Sequence, residues 1–94
     1  MKAIEKGMVA AFNGNKDFRR DNTEVVVADG KVNVYLFGNK RARKDIKSGE
    51  VVYSNCGWAS VTTSSRLHAL GCDCRIKKGV MYDKDGNVFN EGRI

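Results

Sequence analysis

The chain predicts an α+β fold: a single small domain over residues 1–94, with an antiparallel sheet of five or six short strands and two helices packed on one side. Three observations carry this. An N-terminal stretch places apolar residues at helical spacing, a mid-chain corner carries helix start and stop signals, and between and after them lie β-prone runs punctuated by glycine turns.

In the first stretch Ile4, Met8, Ala11 and Phe12 fall on one stripe, with Glu5 and Lys6 off it, which predicts an amphipathic helix over 3–13. Gly7 weakens that helix and Gly14 ends it. Asn13 to Asp17 is turn chemistry, Phe18 pins the connection to the core, and Arg19-Arg20-Asp21-Asn22 reads as a solvated loop.

Thr23 to Ala28 and Lys31 to Phe37 are two β-prone runs separated by Asp29-Gly30. Such a pair makes a hairpin with a type I′ turn, because both central residues need positive φ. Val32, Val34 and Leu36 alternate onto the core face, leaving Asn33, Tyr35 and Phe37 on the other.

Residues 38–50 form the most basic window, with five positive charges against two negative. Ala42 and Ile46 anchor a short strand or turn there, and Ser48-Gly49 leads by another hairpin into Val51 to Ser54. Two readings of this window stand side by side. Its cations form a binding patch, or they guard an exposed edge strand against association.

The corner from Asn55 to Gly71 holds the only Trp and the only His. Gly57 permits a tight turn, Thr62 or Thr63 caps a helix, and Gly71 ends it in a left-handed conformation. Trp58 serves either as the rim of the core or as an anchor for a partner. Beyond it, Cys72 to Lys77 alternates strictly, with Cys72, Cys74 and Ile76 inward and Asp73, Arg75 and Lys77 outward. Lys78-Gly79 and Asp85-Gly86 turn the chain through two more short strands into a frayed tail.

Chemistry is sparse. Cys56, His68, Cys72 and Cys74 are the usual zinc donor types, but their spacing lacks the paired knuckles of a zinc module, so no metal and no cofactor is expected. Cys56 with His68 is the one nucleophile and base pair, and no neighbouring charge activates the thiol. The helix start at Thr62 to Ser65 offers N–H groups and hydroxyls to an anion, as every capped helix does. The expectation is a protein without catalytic activity.

Three cysteines and a charged start point to a reducing compartment without a secretory signal, and no apolar run is long enough to span a membrane. A formal charge of +6 favours phosphate backbones or acidic protein surfaces.

Gly38-Asn39 at a strand end, Ala42, Gly57-Trp58, then Thr62-Thr63, Arg66-Leu67 and Leu70 form a pattern across residues 23–71. It resembles a family of small proteins encoded by tailed bacteriophages. At position 41 that family usually carries an apolar side chain, and Arg41 departs from it. The resemblance implies a phage accessory protein acting in the bacterial host cytoplasm, and it assigns no functional residue.

With the charge pattern, this leads to one expectation. A host protein or nucleoprotein complex, such as a defence system, is bound and inhibited or redirected through Lys40, Arg41, Arg43, Lys44 and Lys47, with Trp58 and Arg66 as further contacts. Direct DNA or RNA binding is the alternative, recognisable by its salt dependence.

Overall fold

A computed structural model describes residues 1–94. Helix α1 (Ala3–Gly14) precedes strands β1 (Phe18–Arg20), β2 (Thr23–Ala28), β3 (Lys31–Leu36), β4 (Asn39–Asp45) and β5 (Val51–Tyr53). Helix α2 (Val61–Ala69) and strands β6 (Cys74–Lys77) and β7 (Val80–Asp83) follow. The five strands pair in chain order as an antiparallel meander, and β6 and β7 form a separate two-stranded ribbon. The α+β expectation holds, with five strands in the sheet.

Helix α1 buries Met8, Ala11 and Phe12 against Val25, Val32, Val34 and Ala42 of the sheet. Gly14 is its last helical residue, and Asn15 takes the left-handed conformation at φ 55° that closes it. The Lys44 ammonium donates to the Phe12 carbonyl and lies 4.9 Å from the centre of the Phe12 ring. A cation at a helix C-terminus complements the macrodipole there.

Arg19 and Arg20 belong to β1 rather than to a solvated loop. Phe18 pairs with Val25 in a three-residue edge strand whose only part-buried side chain is Phe18 itself. Apolar alternation cannot be seen in so short a strand.

The β2–β3 turn is as expected, with Asp29 at φ 52° and Gly30 at 74°. The β3–β4 and β6–β7 turns use the same geometry with less usual first residues, Phe37 at 51° and Lys78 at 51°, each followed by glycine. Phe37 is therefore a turn residue, not the end of β3.

Helix α2 is capped by Ser60, whose hydroxyl accepts the Thr63 N–H at 3.1 Å, rather than by Thr62 or Thr63. It closes as expected at Gly71, with φ 101° and a Cys72 N–H donating to the Leu67 carbonyl at 3.0 Å. Leu67, Cys72, Cys74, Met81 and Phe89 form a second core cluster, and Tyr53 packs against both clusters. The tail is tied down: Asn55 N–H donates to the Asn90 carbonyl at 3.0 Å and the Ser54 hydroxyl to the Gly92 carbonyl at 2.6 Å. The Asn90 side-chain amide also donates to the Tyr53 carbonyl at 3.0 Å, so the tail meets the end of β5.

Candidate docking surface

The seven residues singled out in the sequence do not share one surface. Arg41 and Arg66 are interior, with 2% and 6% of their surfaces exposed. Lys44 points to the α1 side of the sheet, where it caps the helix. Lys40 and Arg43 lie on the opposite, helix-free face. There Lys40 sits 5.9 Å from the centre of the Tyr35 ring, and Arg43 donates to the Ile94 carbonyl at 2.5 Å. Lys47 is exposed on the loop between β4 and β5, and Trp58 is 62% exposed.

The cause of Arg41's burial is a β-bulge. Val34 pairs with Ala42 but Tyr35 pairs with Lys40, so Arg41 is the extra residue of β4. A bulge lets two consecutive side chains turn to the same side of a sheet, and Arg41 and Ala42 are both buried. The strand packs inward at this position even though an arginine fills it.

No carboxylate meets the Arg41 guanidinium. It donates instead to neutral acceptors: the Asn55 carbonyl at 2.6 Å, the Thr63 hydroxyl at 3.1 Å and the Leu36 carbonyl at 3.5 Å. Its Nε has no partner. Burial pulls its pKa below the ordinary arginine value, and the nearby Cys56 opposes that shift. The group nonetheless stays protonated.

These three acceptors come from three separate pieces of chain, and each presents an exposed apolar side chain next door. Leu36 precedes Phe37, which is 66% exposed. The Asn55 carbonyl, besides binding Arg41, accepts the Trp58 N–H at 2.8 Å in a turn with Cys56 at φ 53° and Gly57 at 81°. Thr63 stands two residues after Val61, which is 79% exposed. Phe37 and Trp58 thus stand beside backbone carbonyls that accept from one buried cation, and Val61 stands near a side-chain hydroxyl that does the same, all within 3.5 Å. Between the first two elements runs a cleft of about 580 Å³, lined in part by Gly38, Lys40, Cys56, Glu91 and Arg93.

Arg66 has the opposite environment. It meets Glu5 at 2.8 Å and donates to the Thr23 hydroxyl at 3.2 Å, fastening α2 to α1 and to β2. The Ser65 hydroxyl donates to the same Glu5 oxygen at 2.5 Å. Burial raises the Glu5 pKa, but Ser65, Arg66 and the Lys2 N–H outweigh it and hold the carboxyl below its ordinary value. The hydroxyls at the start of α2 are therefore spent inside the molecule: Ser60 on Thr63, Thr63 on Arg41, Ser65 on Glu5.

The only other ion pair joins Lys31 and Asp45 at 3.7 Å. Fifteen of the 17 Lys and Arg residues thus have no side-chain carboxylate within 4.0 Å. No three His, Cys, Asp or Glu side chains are grouped to hold a metal. Cys72 and Cys74 are core residues, and burial pushes the Cys72 thiol up to about 12. The Cys56 thiol is occupied too, donating to the Lys40 carbonyl at 2.9 Å.

Sequence reasoning missed Phe37 by extending β3 through it. The signal was the Gly38 that follows, since a residue before glycine between two strands is as readily the first residue of a type I′ turn.

No helix is long and apolar enough to cross a membrane. No curated protein and no solved structure matches the chain. A family model does, the Kyanoviridae Gp96 protein, over residues 1–93. The phage affiliation implied by the Gly-Asn and Gly-Trp pattern is thereby supported across nearly the whole length, and the chain belongs to the Kyanoviridae Gp96 protein family of phage proteins.

Proposed function

We propose that this is a phage accessory protein without catalytic activity. It docks on an acidic host protein, or the protein part of a host nucleoprotein complex, in the bacterial cytoplasm, and so inhibits or redirects it. One observation carries the reading: Phe37 and Trp58 stand more than 60% exposed on turns locked in place by the buried Arg41. Aromatic side chains with fixed backbones lose little entropy on binding and dominate interface energetics.

Phe37 also sits at φ 51°, a conformation costing a non-glycine residue roughly 1–2 kcal/mol. Asparagine would suit that turn position better, and local strain of this kind is often kept where the side chain has a task. Lys40 and Arg93, which line the cleft together with Glu91 and have no side-chain carboxylate within 4.0 Å, supply attraction to an acidic partner. A standard interface of about 800 Å² per partner would use roughly one seventh of the 5678 Å² surface.

The test is affinity capture from host lysate with the native chain and with a Phe37→Ser/Trp58→Ser variant. Loss of an aromatic anchor costs about 2 kcal/mol or more, so the double variant should weaken capture at least thirtyfold with an unchanged melting curve. Capture of the same protein by both forms would refute the reading. Charge reversal at Arg41, Arg43 and Lys44 is not a usable test, because Arg41 and Lys44 hold the fold together.

A further inference from the structure

We propose that the outward face of the β6–β7 ribbon contacts the sugar–phosphate backbone of duplex DNA. This goes beyond the docking reading and stands on different residues.

Cys74 and Met81 face inward from the ribbon and are fully buried with Leu67, so the ribbon is held against the body. The register pairs Arg75 with Tyr82 and Lys77 with Val80 on the outward face, and Lys78 stands at the tip. Arg75, Lys77 and Lys78 are exposed, and none has a carboxylate within 4.0 Å. Arg75 and Lys77 are two residues apart on one strand, about 7 Å along it, so they extend as a rail rather than crowd into a point.

The nearby carboxylates lie at the other end, where the exposed Asp73 stands two residues before Arg75 and lines one pocket with Asp83 and Asp85. Asp83 pairs with Cys74 at the base of the ribbon, where its Oδ1 accepts the N–H groups of Asp85 and Asn87 at 2.9 and 3.0 Å. Lys77 and Lys78 at the tip are therefore removed from these carboxylates, and Arg75 links them towards the base. The complement of this row is a repeated negative charge, and the shared net charge of +6 works against a second copy of this chain on this face.

The face chooses duplex over single strand. Non-specific single-strand binding uses exposed aromatics for base stacking, whereas the one aromatic here, Tyr82, is half-buried and bridged to Val88. Two strands about 5 Å apart with their side chains fit a B-form major groove about 12 Å wide, and the deep, narrow groove of A-form RNA does not admit them.

The experiment is fluorescence anisotropy of a short labelled DNA duplex titrated with the full chain at several salt concentrations. Three phosphate contacts give a log–log slope near −2.7, which is about a 40-fold loss of affinity between 50 and 200 mM salt. An Arg75→Gln/Lys77→Gln/Lys78→Gln variant should lose binding and keep its melting temperature, while Phe37→Ser/Trp58→Ser should bind the duplex as the native chain does. Absence of binding at 50 mM salt, or equal binding by the triple glutamine variant, would overturn the proposal. So would tighter binding to single-stranded DNA or to duplex RNA. Loss of duplex binding in the aromatic variant instead would place the contact elsewhere and overturn it as well.

Discussion

Replacing Arg66 by leucine strands a buried charge. Glu5 is 3% exposed, and without Arg66 its carboxylate keeps only the Ser65 hydroxyl and the Lys2 N–H, while the Thr23 hydroxyl loses a donor. Breaking a buried ion pair from one side costs about 3–5 kcal/mol, against a total stability of about 5–15 kcal/mol for a small domain. For a chain of this size that lowers the melting temperature on the order of 15–30 °C.

The loss depends on pH in a defined direction. In the native protein the Glu5 pKa lies below its ordinary 4.5, so the carboxylate contributes stability above about pH 4.5. That contribution disappears as the pH falls through the lower folded value. The Arg66→Leu variant lacks most of it, so the gap between the two proteins is widest near neutrality and narrows in acid. Thermal unfolding followed by circular dichroism across this range measures the gap directly. A Glu5→Leu/Arg66→Leu double variant removes both charges and should recover about 2 kcal/mol of the loss. A loss under about 1 kcal/mol, or a gap that is the same at about pH 3.5 and pH 7, would refute this account of the pair.

Three further outcomes are expected. A Cβ at Gly7 would stand 2.5 Å from Cε1 of Phe18, so Gly7→Ala should destabilise by about 1–3 kcal/mol in urea unfolding, despite alanine's higher helix propensity; a gain in stability would contradict the packing described. Phe37→Asn relieves left-handed strain at a turn that favours asparagine, so it should raise stability by up to about 1 kcal/mol while weakening partner capture. An unchanged capture would remove Phe37 from the docking surface. Iodoacetamide near pH 8 should label the native protein once, at the half-exposed Cys56, because burial keeps Cys72, at about 12, and Cys74 in the thiol form. Mass spectrometry should then show three labels in urea, and two or more labels on native protein would mean that the second core cluster is open.

Much of this architecture was legible locally. The Met8, Ala11 and Phe12 stripe, the Asp29-Gly30 hairpin and the Gly71 helix stop each depend on residues within a few positions of one another, through side-chain periodicity or the sign of φ. The inward alternation of Val32, Val34 and Leu36, and of Cys74 and Ile76, follows from the same local rule.

The candidate site was not legible in that way. Arg41 looks like one cation among five in a basic window, and its burial arises because β4 carries one residue more than β3 between two paired positions. Arg66 reads as a helix surface charge until Glu5, sixty-one positions away, is placed at 2.8 Å from it. Composition and neighbouring residues set the strands, the turns and the net charge, because those are short-range properties of the chain. Which cations face water was settled only when distant segments packed, since a charge is tolerated inside wherever folding brings it enough acceptors, and nothing in its own neighbourhood records that.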